Sequence, residues 1–289
     1  MGFIIITYKL FLILLISFSL RLVYQIVRFL NISHAISIAF SAYITYFFSV
    51  QFDFPLIISI PFSLFIIILL NVIINLTLYN PLKKLKLKNW QLLIASLGVY
   101  VVLQNLISII WGDSTLSFRT WEVKEGHQFL GAYITGVQIV TILTCIVLLM
   151  LSWLFIEKTK IGKQIKAVSS NPQLSNYYGI STNKAALYSF ALGSGLAACA
   201  GILIAADTDM TPTMGFNWLL YGVVAMIIGG MGKMRFLLLG ALLLATAQHL
   251  SAYYLDSKWM NATAYIILIV FLYFKPYGFS GQKLKKQDV

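Results

Sequence analysis

The sequence predicts an all-α polytopic membrane protein of about eight or nine transmembrane helices, and three observations lead there. Of its 289 residues 60% are hydrophobic and only 10% charged, whereas a soluble domain carries about a quarter charged residues. The apolar residues fall in long unbroken runs, not in the short alternating stretches of a membrane barrel. Backbone groups inside lipid must be satisfied within the chain, so such runs span as helices. The net charge of +12 is gathered in short clusters between runs, as orientation signals are. A nucleic-acid surface would spread it along one face with interleaved aromatics.

Each span needs about 20 apolar residues at a rise of about 1.5 Å. The first runs from Phe3 to Leu20. It lacks a basic leader and a small-residue cleavage site, so it reads as a retained helix, not a signal peptide. After a polar break come Ala35–Val50 and Leu56–Leu78, then Leu92–Trp111 and Phe129–Ile156. Ala186–Ala206, Trp218–Ile228, Leu237–Leu255 and Ala262–Phe274 complete the set. Ala35–Val50 and Trp218–Ile228 are short, and such helices are tolerated only against protein or a watery cavity.

Placing the connections on alternate sides sorts the charge. One side receives Arg21, Arg28, the lysines at 83–88, those at 158–184, and Lys233, Arg235, Lys275, Lys283, Lys285 and Lys286: 17 of the 21 basic residues. The other receives Lys9, Arg119, Lys124 and Lys258 with seven of the nine acids, Asp53, Asp113, Glu122, Glu125, Asp207, Asp209 and Asp256. The positive-inside rule makes the first side cytoplasmic. The tail 275–289 then lies inside and, with nine spans, the N-terminus outside. The whole of 1–289 reads as one transmembrane domain. Its longest outer loop, 112–128, is too short to capture a substrate, and its longest inner loop, 157–184, too short to be an ATPase. No G-x-x-x-x-G-K-[ST] loop occurs, so ATP-driven transport would need another polypeptide.

The inner loop reads EKTKIGKQIKAVSSNPQLSNYYGISTNK. Lys160, Lys163 and Lys166 recur at three-residue spacing with Ile161, Ile165 and Val168 on another face, which predicts an amphipathic helix on the membrane surface. Asn171–Pro172 reads as a cap and first-turn proline. A short helix over Pro172–Tyr178 then stops at Gly179, where a left-handed residue is cheap. Such an element is either a handle for a cytoplasmic motor or an ordinary anchor between two spans.

These residues carry a resemblance. GKQIKAVSSNPQLSNYYGIS (162–181), followed by a helix with LAACAGIL (196–203), resembles the permease subunits of branched-chain amino acid ABC importers. Further pieces follow the same order: Val23–Tyr24, leading to Asn31-Ile-Ser-His34 and Ala42-Tyr43; LIASLGVYVVLQN at Leu93–Asn105; Pro212-Thr-Met-Gly215-Phe216; GGMG at Gly229–Gly232; and KPYGFSG at Lys275–Gly281. The resemblance covers nearly the whole chain. It implies an ABC importer permease-like bundle in the bacterial plasma (inner) membrane, with its C-terminus cytoplasmic. Its implied partners are P-loop ATPase subunits, a second permease subunit (the same chain or a sibling) and an extracytoplasmic substrate-binding protein. ATP would be bound by the ATPase partners, and this chain would hold no cofactor. Gly162, Ala167, Asn171, Gly179 and Ile180 fall on the loop that meets the ATPase in that family, here the coupling loop 157–185.

The sequence also departs from the pattern. The family's N-x-x-H-G-E stretch is here Asn31-Ile-Ser-His34-Ala35-Ile36, a customary glutamate is Gln248, and Phe236 and Leu237 replace small residues beside a surviving Gly240. Lost acids and close-packing glycines change pathway polarity and helix approach. Compatible cargoes are branched-chain amino acids, other amino acids, urea or a short amide.

Polar residues within spans are costly and often functional. Asn31, His34, Tyr43, Gln104 and Asn105 are the candidates for the substrate pathway. For His34 the competing role is to satisfy a free carbonyl at a helix end; for Gln104 and Asn105 it is to bond between helices. Gln138, Thr141 and Thr144 share one face and read as back-bonding to their own helix. Gly193, Gly195, Ala197, Ala198 and Gly201 read as a packing surface. Cys145 and Cys199 read as small buried hydrophobes, neither a disulfide nor a metal pair. Asp207 and Asp209 form a D-x-D without a nucleotide-binding domain around it.

A stand-alone secondary transporter or channel for a small polar solute is the competing function. It would place ionisable groups within the spans, whereas the acids here lie in loops. An enzyme is not expected, because His34, His127 and His249 are scattered and no metal set or buried carboxylate pair converges on them.

Overall fold

The computed structural model describes residues 2–119, 127–129, 132–230, 234–275 and 278–281. Expectations for the tail beyond Gly281, the outer acids Glu122 and Glu125, and Met231–Gly232 of the GGMG stretch lie outside them.

Among the described residues the chain is all-α apart from one small hairpin. α1 is Gly2–Val27, α2 His34–Tyr46, α3 Leu56–Ile74, α4 Asn80–Lys84 and α5 Asn89–Trp111. The hairpin pairs β1 (His127–Phe129) antiparallel with β2 (Ala132–Ile134). Then follow α6 (Gly136–Lys158), α7 (Lys160–Ser170), α8 (Pro172–Tyr177), α9 (Thr182–Thr208), α10 (Met214–Gly229), α11 (Met234–Tyr254) and α12 (Met260–Phe274). A π-helical turn, Phe47–Gln51, prolongs α2, and another, Asn75–Tyr79, joins α3 to α4.

Among the described residues, seven helical stretches are long and apolar enough to cross a membrane, and α10 is a shorter apolar helix. Every expected span contains a helix, and the two short ones are α2 and α10. The bounds differ where polar residues continue a helix. α1 passes through Arg21 to Val27, and the third span runs on from Leu56 to Lys84. The fifth begins only at Gly136, because Ala132–Ile134 pairs as a strand.

The chain divides into two compact units. One comprises Met1–Phe18, Thr120–Ile146 and Asn217–Val289; the other comprises Ser19–Arg119 and Val147–Phe216. In the first, glycines set the approach of α10 to α11. A Cβ at Gly240 would lie 2.4 Å from the Ala225 carbonyl oxygen, and one at Gly229 2.6 Å from that of Phe236. The surviving family glycine is therefore the one the backbone cannot spare. On the α11–α12 side, Thr263 Oγ1 lies 2.7 Å from Ser251 Oγ, while Gln248 is buried.

The second unit is built around α2. This helix packs on α9, α3 and α5 and is buried from His34 through Ala39 and from Ser41 through Tyr43. Small residues permit that enclosure: a Cβ at Gly201 would sit 1.9 Å from the Ile38 carbonyl oxygen, and one at Gly215 2.1 Å from that of Ala35. The small-residue face of α9 is thus a packing surface, as its composition predicts. By contrast, one face of α3 and of α5 is largely exposed, with Ile57, Phe65, Val102 and Ile109 outermost, as lipid-facing helices require.

Candidate functional site

Asn31 lies in the turn between α1 and α2. Its Oδ1 accepts from Ser33 Oγ at 2.7 Å and from the Tyr79 hydroxyl at 2.9 Å, and those two hydroxyls are 2.8 Å apart. All three residues are buried. Tyr79 is held by an edge contact to Phe29 and by stacking on Phe190, at centroid distances of 5.3 Å and 5.6 Å. His34, one turn on, places Nε2 3.0 Å from Ser19 Oγ. Its Nδ1 and the Asn31 Nδ2 have no hydrogen-bond partner. Tyr43 packs its ring 5.5 Å from that of Trp111, and its hydroxyl is also unpartnered. The α1–α2 break therefore places Asn31 and His34 in a buried, incompletely satisfied polar interior, while Tyr43, nine residues further along α2, is buried separately against Trp111.

The other two stand apart. Gln104 Nε2 donates to Ser108 Oγ at 3.3 Å, and Asn105 Nδ2 donates to the Val101 carbonyl at 2.7 Å. Both partners lie one turn away on α5 itself, so neither amide bonds to another helix, and Asn105 is exposed.

A feature the sequence reading passed over runs through the same interior. Along the second segment a hydroxyl recurs every fourth residue, at Ser33, Ser37, Ser41, Thr45 and Ser49. Along the third, Ser59, Ser63, Ile67, Asn71, Asn75 and Tyr79 keep the same interval, and all eleven are buried. The two rows meet. Asn71 Nδ2 donates to Ser37 Oγ at 2.9 Å, and Thr45 Oγ1 lies 2.9 Å from Ser63 Oγ. Ser41 instead donates to the Ala198 carbonyl of α9 at 2.9 Å. Bonds of this kind hold membrane helices together for about 0.6 kcal/mol each, at most about 1.7. Tyr79→Phe should accordingly lower stability by about 0.6–1.7 kcal/mol, because Asn31 Oδ1 keeps Ser33. A thermal unfolding curve of the detergent-extracted protein checks it.

The loop 157–185 forms as two helices. Thr159 caps α7, its Oγ1 accepting from the Gly162 N–H at 3.0 Å. A Cβ at Gly162 would meet the Ile156 backbone at 2.4 Å, so glycine allows α7 to turn back on the end of α6. Ile165 and Val168 are buried with Ile26, Ala185 and Ala186, and Ile161 and Ile180 pack around them. The expected membrane-surface helix is corrected here: its apolar face is spent on α1 and α9, within the protein. Arg28 adds a bond from Nη2 to the Ser169 carbonyl at 3.2 Å, and Lys166 pairs with Glu157.

Ala167 accepts from the Asn171 N–H at 3.0 Å at the end of α7. Asn171 Oδ1 then caps α8, accepting from the Leu174 N–H at 3.0 Å. Gly179 follows α8 at φ +78° with open space around it, the left-handed stop expected of it. Leu174, Tyr177 and Tyr178 remain exposed, the last two at 89% and 79%. The assembly is a short helix with an apolar outer face on a firmly anchored base.

On the α9–α10 connection, Arg119 pairs with Asp209 and donates from Nη1 to the Asp207 carbonyl at 3.1 Å. The D-x-D acids thus belong to a loop staple, which the Leu116–Met210 backbone pair extends. Among the described residues no three His, Cys, Asp or Glu side chains gather as a metal site.

Residues 2–274 match the family model described as the branched-chain amino acid transport system permease component. The chain is 26% identical over 196 residues to the high-affinity branched-chain amino acid transport system permease protein LivH of Salmonella typhimurium, covering 66% of this chain and 63% of that one. It therefore spans a little under two thirds of that relative's length. A probable branched-chain amino acid transport permease protein of Methanocaldococcus jannaschii is 28% identical over 241 residues, covering 78% and 75% of the two chains. The ribose import permease protein RbsC of Haemophilus influenzae is 28% identical over 134 residues, covering 42% of this chain and 40% of that one. Among solved structures, the one titled PsaBC from Streptococcus pneumoniae in complex with Fab superposes with a TM-score of 0.53 at 12% identity, covering 94% of this chain and 91% of that one. That likeness speaks to the fold.

Proposed function

The chain belongs to the branched-chain amino acid transport system permease family, and from that premise we propose that it is the transmembrane permease subunit of an ABC importer for branched-chain or related amino acids. Separate P-loop ATPase subunits power it, a second permease subunit completes the pathway, and an extracytoplasmic binding protein delivers the cargo. It works as one domain in the bacterial plasma membrane, with the coupling loop 157–185 and the C-terminus on the cytoplasmic side.

The observation that carries this reading is α7–α8. The chain has no phosphate-binding loop of its own, yet it holds out a capped, anchored helix whose exposed face is Leu174, Tyr177 and Tyr178. An apolar face rimmed by polar residues is how a protein partner is met. Gly162, Ala167, Asn171, Gly179 and Ile180 set the position of that face: close approach, helix end, cap, stop and packing. Asn31 and His34, buried at the α1–α2 break, and Tyr43, buried further along α2, line the cargo pathway. Gln104 and Asn105 complete it only through a surface of α5 that a second permease subunit covers. The acids with described side chains favour this reading over ion-coupled transport, since Asp53, Asp113, Glu157, Asp207, Asp209 and Asp256 all lie in loops or in the last turns of helices, away from a membrane interior where coupling ions would bind.

Gentle detergent extraction from native membranes, with mass identification of what stays bound, tests the assembly. A P-loop ATPase and a second permease should co-purify, and the complex in vesicles should import leucine only with ATP. A chain that purifies alone and moves solute without ATP overturns the proposal.

A further inference from the structure

The four-residue rows on α2 and α3 have a property that a single set of contacts does not need. Opposed antiparallel rows with the same interval can meet in two registers one turn apart. In the first, Ser33 faces Asn75, Ser37 faces Asn71, Ser41 faces Ile67, Thr45 faces Ser63 and Ser49 faces Ser59. In the second, Ser33 faces Tyr79, Ser37 faces Asn75, Ser41 faces Asn71, Thr45 faces Ile67 and Ser49 faces Ser63. Each register offers polar partners at all but one hydroxyl. The hydroxyl left opposite Ile67 has an alternative bond in both cases: Ser41 to the Ala198 carbonyl, Thr45 to the Ser41 carbonyl at 2.8 Å.

The structure contains both registers at once. Ser37–Asn71 and Thr45–Ser63 follow the first, while Ser33–Tyr79 follows the second. The dislocation falls between Asn71 and Tyr79, and Asn75 sits there, 1% exposed, with neither its Nδ2 nor its Oδ1 bonded. Ser49, at the other end of the rows, is also buried and unbonded. The backbone opens into a π-helical turn at each of these places, Asn75–Tyr79 and Phe47–Gln51. Such turns hold an extra residue within a helix and can give it back.

We propose that α3 slides along α2 by four residues, about 6 Å, into the second register, and that this slip is a conformational step of the protein. The shift carries Asn75 to Ser37, Asn71 to Ser41 and Ser63 to Ser49, so both unbonded groups gain partners. Because the number of polar pairs hardly changes, the two registers lie close in energy, which is what a bistable element requires. Asn75 is the positioning residue: in the first register its opposite number, Ser33, is taken by Asn31 and Tyr79, so it gains a free partner, Ser37, only in the slipped register. The link to transport rests on the permease reading above; the slip itself is read from α2 and α3 alone.

Paired cysteines distinguish the registers, since a disulfide needs Cα atoms within about 4.4–6.8 Å. In a background of Cys145→Ala and Cys199→Ala, Thr45→Cys with Ser63→Cys reports the first register and Ser49→Cys with Ser63→Cys the second. Both are oxidised in membranes holding the assembled complex, with and without ATP and vanadate. The expected result is that both pairs cross-link and that nucleotide changes their ratio several-fold, in opposite directions. A slip whose ratio ignores nucleotide upholds the two registers and counts against the ATP-driven reading. ATP-dependent leucine uptake with no Ser49–Ser63 cross-link in any state overturns the slip and leaves the permease reading standing. Asn75→Leu is the second arm. An amide that is merely buried and unbonded is better removed, so a structural role predicts equal or higher thermal stability with normal uptake. The slip predicts the same stability with uptake reduced about tenfold, because the second register becomes rarer; normal uptake overturns it.

Discussion

Gly179→Pro is expected to abolish ATP-dependent uptake while the protein remains inserted and of normal abundance. Gly179 sits at φ +78° and donates its N–H to the Asn176 carbonyl at 3.0 Å. Proline is held near −65° and has no N–H, so the chain between α8 and α9 must take another course. Ile180, which packs against the cluster around Ile165 and donates to the Ser175 carbonyl at 2.9 Å, loses its place with it. The exposed face of α8 is then misdirected, although no membrane helix is touched. Since about 1.4 kcal/mol of lost coupling already lowers a rate tenfold, the fall should be tenfold or more. Gly179→Ala separates backbone from side chain. It has open space and costs about 1–2 kcal/mol for the left-handed conformation, so it should be impaired but active. Uptake of radiolabelled leucine, normalised to membrane-inserted protein, decides; normal uptake by the proline variant removes α7–α8 from the mechanism.

The largest effect on folding is expected from Gly201→Val. Even the first added carbon would lie 1.9 Å from the Ile38 carbonyl oxygen and 2.7 Å from Ser41 Oγ. The obstacle is the backbone of a helix buried along most of its length, which cannot turn away as a side chain does. Relief requires α9 to separate from α2, breaking the bond from Ser41 to the Ala198 carbonyl. A destabilisation of about 3 kcal/mol, the upper end for overpacking, should appear as loss of the monodisperse peak in size-exclusion chromatography and a much lower melting temperature. Gly195→Ala on the same helix is the control. Its new methyl would meet only the tip of Ile68, at 3.3 Å, and it should be neutral or slightly stabilising through helix propensity.

How far the sequence discloses this protein depends on which physical signal marks each part. All nine apolar runs contain helices, because in lipid an apolar run has no other way to satisfy its backbone. α8 was legible residue by residue, since Asn171, Pro172 and Gly179 act locally as cap, first turn and stop. The extension from Tyr79 to Lys84 was not: Asn80, Pro81 and two lysines look like a loop, but proline is tolerated in a first turn, and of the lysines Lys84 is exposed while Lys83 is half-buried. The apolar stripe of α7 was correctly seen and wrongly covered, because periodicity reveals a buried face without saying what buries it. Among the pathway candidates, Asn31 and His34 share the buried α1–α2 break and Tyr43 is buried further along α2, whereas Gln104 and Asn105 bond to their own helix. An amide's spacing along a chain says nothing about the direction it faces. The alternating rows around α2 and α3 were visible in the letters themselves, as Ser-x-x-x-Ser repeated. They went unread because small hydroxyls hardly disturb a hydropathy profile.

The enclosure of α2 has a consequence for how the protein is made. Its 13 residues rise only about 20 Å at 1.5 Å each, against a hydrocarbon core of about 30 Å, and they carry two serines, a threonine, two tyrosines and a histidine into that layer. On leaving the ribosome this segment has little reason to enter lipid by itself. Its shelter is α9, which is synthesised much later: the bond from Ser41 reaches across 157 positions of sequence. Integration of the early segments is therefore provisional until the later ones arrive. A nascent chain halted before Thr182 displays a polar, unshielded hairpin, a form that membrane quality-control proteases are well placed to recognise.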